Sequence, residues 1–163
     1  MKQLFLYIFL LVFIHGSGNT CHKNETDSRH TKRDYRLIID NVIKLFSLGK
    51  NISIEELQNA IPTTKEEFLV YYSYTYSDKG ESINQSFYKI DSEIVKNATN
   101  NKGKFFILYF ELSSFVDGEY AESYYDDVDF IIGKNKKVFC GVYKRLSENS
   151  RKKLEEYYSQ YCH

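Results

Sequence analysis

The chain predicts an all-α protein: a small irregular helical bundle or a set of solenoid-like helical hairpins. Three observations carry this. Apolar residues recur at three and four positions from Phe105 to Leu146. Strict alternation never lasts beyond a few residues, and glycines and capping patterns punctuate the remainder at helix-like intervals. A length of 163 residues suggests one folded domain.

In order, residues 1–20 read as a signal peptide. Lys2 forms a thin positive end, Leu4–Ile14 an apolar core too short to span a bilayer, and Gly16-Ser17-Gly18 the small residues a signal peptidase reads. Residues 21–32 are a polar lead without periodicity, and 33–163 are expected to form a single helical domain. Its first helix carries Tyr35, Ile38, Ile39, Val42, Ile43 and Phe46 on one stripe and stops at Gly49. Ser53-Ile-Glu-Glu56 is a capping box for a short helix that ends before Pro62. Thr63 and Thr64 offer a second box with Glu66 and Glu67, although Val70, Tyr72, Tyr74 and Tyr76 also alternate. A linker at Ser77–Ser82 precedes a helix over Ile83–Val95 with Phe87, Ile90 and Ile94 on one side, and Asn97–Gly103 is a polar break.

The central stretch allows two readings. In the helical one, Phe105–Val116 forms a helix stopped by Gly118. A second helix then carries Tyr120, Tyr124, Val128, Ile131 and Ile132, and Gly133-Lys134-Asn135-Lys136 breaks it before Val138, Phe139, Val142 and Leu146. In the other, an α+β alternative, 129–143 is a β-hairpin around that Gly-Lys-Asn-Lys turn. The length of the three-to-four spacing favours helices. Ser147 or Ser150 caps a final helix bearing Leu154, Tyr157, Tyr158 and Tyr161.

Charge and cysteine content bound the function. The chain has 22 basic and 22 acidic residues. Lys2 is the only charged residue of 1–20, so loss of the leader leaves 21 bases against 22 acids, a net charge of −1. That balance argues against nonspecific nucleic-acid binding. From Phe105 to Ile132 there are seven acids and no base, whereas Lys134–Lys153 holds eight bases against Glu148 alone. Such blocks mark either complementary faces of a helical hairpin or a surface that steers a charged partner. Cys140 and Cys162 are a candidate disulfide in an oxidising compartment. A straight hairpin turning near Ser147 would hold them about 10 Å and about 21 Å from the turn, so the bridge requires the tail to fold back. Cys21, directly after the leader, is a candidate lipidation site, although Gly18-Asn19-Thr20 fits a bacterial lipobox poorly.

Catalytic equipment is sparse in the sequence. The four histidines, His15, His22, His30 and His163, all lie in the terminal segments, and no HExxH, paired CxxC, Walker A or GxGxxG pattern occurs. No cofactor is expected. Asp126, Asp127 and Asp129 could ligate calcium, but the preceding Asp117-Gly-Glu-Tyr-Ala-Glu122 does not match an EF-hand loop. Glu111, beside Leu108, Leu112 and Phe115, is the best carboxylate for acid–base work if burial raises its pKa. Tyrosine is the distinctive residue: 15 of them, in clusters, with 12 phenylalanines and no tryptophan. Tyrosine suits both protein interfaces and aromatic cores.

The layout of leader, polar lead, helical body and two late cysteines resembles small helical envelope proteins of bacteria, including immunity proteins that neutralise toxins delivered into the periplasm. The resemblance is one of layout and transfers no functional residue. Together these readings lead to a secreted or envelope-located binding protein, acting on a protein partner such as a toxin or enzyme. The candidate surface is Glu119, Tyr120, Glu122, Tyr124, Tyr125, Asp126 and Asp127. The alternatives are a carboxylate-based hydrolase using Glu111 with one of the aspartates, and a structural envelope lipoprotein tethered through Cys21.

Overall fold

The computed structural model describes residues 33–75, 80–101 and 104–162. The leader, the polar lead and Cys21 therefore lie outside the described residues. Among those described, eight α-helices occur and no strand, so the chain is all-α and 129–143 is not a hairpin. The helices are α1 (Tyr35–Ser47), α2 (Ile54–Asn59), α3 (Lys65–Tyr72), α4 (Glu81–Thr99), α5 (Phe105–Glu111), α6 (Tyr120–Tyr143), α7 (Glu148–Lys153) and α8 (Glu155–Tyr161). A single 3₁₀ turn, Leu112–Ser114, tightens the end of α5.

The N-terminal signals act as read. Helix α1 buries Tyr35, Ile39, Val42 and Ile43. It ends in a Schellman motif: Gly49 N–H donates to the Phe46 carbonyl at 3.0 Å and Lys50 N–H to the Leu45 carbonyl at 3.0 Å. Gly49 takes φ +64°, which a β-carbon would disfavour. Ser53 and Glu56 form the reciprocal capping box of α2. Thr64 caps α3, while Glu67 reaches back to Thr63 N–H at 2.7 Å.

Glu67 also binds Arg33, whose Nε donates to Oε1 at 2.6 Å. Burial alone would raise the Glu67 pKa, but the bonds from Arg33 and Thr63 outweigh it and hold the carboxyl below its ordinary value. A lowered folded-state pKa contributes stability above the unfolded value that is lost as pH falls through the folded one. Glu67→Gln is therefore expected to cost about 1–2 kcal/mol near neutral pH, with the difference from wild type closing in acid. Urea unfolding at about pH 7 and about pH 3 checks this; a gap that persists in acid would assign the effect to packing.

Helix α4 is the hub. It packs on α1, α2, α5 and α6, and it runs on to Thr99, where the side chains of Asn97 and Thr99 donate to the carbonyls of Glu93 and Val95. Asn97, expected in a polar break, is buried inside this helix. The apolar stretch Phe105–Leu146 wraps around α4 and supplies Phe105, Phe106, Tyr109, Phe110 and the inner stripe of α6 to the core.

Two interruptions of helical geometry shape the C-terminal half. The break at Gly133–Lys136 is a kink inside α6, centred on Asn135 (φ −133°, ψ 34°). Asn135 Nδ2 donates to the Thr99 carbonyl at 2.7 Å and the Ile131 carbonyl at 3.2 Å, so the side chain takes up acceptors at the end of α4 and beside the kink. The final helix is likewise divided. The buried Leu154 departs from helical geometry (φ −103°, ψ 10°), separating α7 from α8. That bend turns the tail back toward α6. No helix among the described residues is long and apolar enough to cross a membrane.

Candidate functional site

The proposed surface lies on the first half of α6, and the helix divides it. Its inner stripe takes Tyr120, Tyr124, Val128, Ile131 and Ile132 into the core. Tyr124 is 1% exposed, its hydroxyl donates to the Tyr109 carbonyl at 2.8 Å, and its ring lies 5.1 Å from the Tyr109 ring. Tyr120 donates to Asp91 Oδ1 at 2.8 Å. Both tyrosines are thus structural in this fold, a correction to their expected place on a docking surface. The reason lies in the spacing: they share a stripe with Val128 and Ile131, and one helix face cannot be both core and interface. Asp127 is half-buried and accepts from the Tyr109 hydroxyl at 3.3 Å; burial raises its pKa, aided by the neighbouring acids Asp91 and Asp126. Tyr125 is half-buried and stacks on Tyr157 at 6.3 Å.

Glu119, Glu122 and Asp126 remain fully outward. They follow one another at helical intervals and lead, one further turn on, to Phe130, which is 54% exposed. Lys134 Nζ lies 5.7 Å from the Phe130 ring centroid, where the acidic block gives way to the basic one. Phe130 was not singled out in the sequence. The signal was present: it falls off the stripe of Val128, Ile131 and Ile132 and onto the acidic one.

Cys140 and Cys162 form a disulfide with Cα atoms 5.6 Å apart. It closes α8 against the second half of α6. Helix α8 buries none of its own residues. Its tyrosines hold it instead: Tyr158 stacks on Tyr143 at 4.1 Å, Tyr161 donates to Asp129 Oδ1 at 2.7 Å, and Lys136 sits 4.9 Å from the Tyr161 ring.

Glu111 is occupied as a cap. Its carboxylate accepts from Ser147 N–H at 2.8 Å, from the Ser147 hydroxyl at 2.7 Å and from the Ser150 hydroxyl at 2.8 Å. It tethers the start of α7 to the end of α5, and its carboxylate faces the positive end of the α7 dipole. It borders an open surface hollow with Pro62, Leu108 and Phe115.

A second carboxylate has a different setting. Asp91, on α4, accepts from the hydroxyls of Tyr71 on α3 and Tyr120 on α6 through the same oxygen, Oδ1. Burial raises its pKa, and the two tyrosine bonds only partly oppose this. Among the described residues no cation pairs with it. Asp91 lines a surface pocket with Tyr72, Tyr88 and Tyr120, and Thr75, Glu119 and Ser123 complete the lining. Sequence reasoning missed this constellation, because its members come from three helices. Only a local sign existed: Asp91 lies one turn from Phe87 on the edge of the apolar stripe of α4.

Compared with protein-family models, with characterised proteins and with solved structures, the chain matches none.

Proposed function

We propose that this protein is a secreted or envelope-located binding module that holds or occludes a protein partner, in the manner of an inhibitor or immunity protein, and is not itself an enzyme. The observation that carries the reading is the outward stripe of α6. Glu119, Glu122 and Asp126 flank a half-exposed phenylalanine, Phe130. A large ring kept in water beside acids suits a partner with a basic rim around an apolar recess, since an aromatic anchor supplies affinity and the surrounding charges supply steering.

The test uses the partner recovered by affinity capture from the native source. Phe130→Ala is expected to weaken its binding at least tenfold, the loss typical of an interface anchor. Glu122→Lys with Asp126→Lys is expected to slow association and reduce its salt dependence. Both variants should unfold at the wild-type denaturant midpoint. Wild-type affinity in Phe130→Ala would reject this surface.

A further inference from the structure

We propose that the pocket between α3, α4 and α6 is a receptor for an organic cation, with Asp91 as its counter-charge and the rings of Tyr72, Tyr88 and Tyr120 as its walls. The inference deepens the binding reading above. It rests on that reading for the source of the cation: a lysine or arginine side chain of the partner, entering beside the acidic stripe.

A carboxylate drawn out of water needs compensation, either hydrogen bonds or an opposite charge. Tyr71 and Tyr120 supply hydrogen bonds, but both reach Oδ1. Among the described residues, Oδ2 receives none and no cation pairs with the group. Burial pushes the carboxyl pKa up, the sign of a negative charge held at a cost. An ammonium or guanidinium group in the pocket would remove that cost by pairing with the carboxylate.

The walls suit the same chemistry. Tyrosine faces attract cations, and a cluster of aromatic rings around a carboxylate is a general solution for binding them. Tyr72 and Tyr120 are held at 5.9 Å from each other and each packs on Phe68, so two walls are set by the core. Tyr88 is 54% exposed and lines the pocket from α4. Glu119 belongs both to the pocket lining and to the outward acidic stripe, which joins the two features into one acidic approach.

The test needs no partner. N-acetyl-lysine amide, N-acetyl-arginine amide and the neutral N-acetyl-norleucine amide are titrated into the full chain, with the tyrosine ring signals followed by NMR. Saturable binding of the two cationic probes, at least tenfold tighter than norleucine amide, is expected. Asp91→Asn should lose that preference while keeping or raising its thermal midpoint, since Tyr71 and Tyr120 can still donate to the amide oxygen. Tyr88→Ala, which removes an exposed wall, should weaken the cationic probes several-fold without changing stability. Equal binding of all three probes, or wild-type lysine binding by Asp91→Asn, would overturn the pocket. Putrescine binding more tightly than capped lysine would overturn the side-chain source. Failure here leaves the Phe130 assay standing, and failure of that assay leaves the pocket standing, so the two readings fail separately.

Discussion

Tyr124→Ala is expected to destabilise the protein by about 3–5 kcal/mol, the range for removing a buried aromatic ring. The ring is 1% exposed and packs on Tyr109, Tyr120 and Tyr125. The truncation leaves a cavity where α5 meets α6, and the Tyr109 carbonyl loses the hydroxyl donor it receives at 2.8 Å. Tyr124→Phe separates the two contributions. It keeps the ring and is expected to cost about 1 kcal/mol, the net worth of one buried hydrogen bond. The neighbouring Asp126→Ala, on the outward face, should change stability by less than about 0.5 kcal/mol. Urea midpoints of the three variants check the order. A Tyr124→Ala midpoint near that of Asp126→Ala would mean that Tyr124 is not a core residue.

Replacing Cys140 and Cys162 together by alanine is expected to cost about 3 kcal/mol, from loop closure over a separation of 22 residues. The loss should also be local. Helix α8 buries none of its own residues and relies on tyrosine stacking and a few hydroxyl bonds. Amide hydrogen exchange should therefore show Glu155–Tyr161 losing protection first, while α1 and α4 keep theirs. Wild-type protection across α8 in the double variant would show that the tyrosines alone suffice to hold it. An even loss across all helices would instead make the bridge a global constraint.

The helices that were legible are those whose signals are local. The Ser53–Glu56 box, the Gly49 stop and the stripe of α1 each involve residues within one or two turns, and each appears in the structure as read. Fold class followed for the same reason, since three-to-four spacing is a property of short windows. Two features were not legible. The kink of α6 falls within Gly133–Lys136, where a break was read, but the partner of Asn135, the Thr99 carbonyl 36 residues earlier, has no local signal. The last helix divides at the buried Leu154, where φ −103° and ψ 10° leave helical geometry. The tail folds back onto α6, as a bridge between Cys140 and Cys162 requires.

The tyrosines mark the boundary most clearly. Their number pointed equally to a core and to an interface, and the structure assigns them individually. Tyr71, Tyr74, Tyr109, Tyr120 and Tyr124 are buried, Tyr157 and Tyr161 fasten α8, and Tyr88 stands in water beside the Asp91 pocket.

By itself, the sequence determined the all-α class, the N-terminal caps and stops, the opposed charge blocks and the chemistry available on each face. Only the tertiary structure decided which acids remain outward, where the tail turns, and that Asp91 meets Tyr71 and Tyr120 across separations of 20 and 29 residues. The physical reason is range. Helix propensity, capping and amphipathic spacing act over a few residues. The pairing of a carboxylate with two distant hydroxyls depends on how three helices pack, and no short stretch of sequence carries that packing.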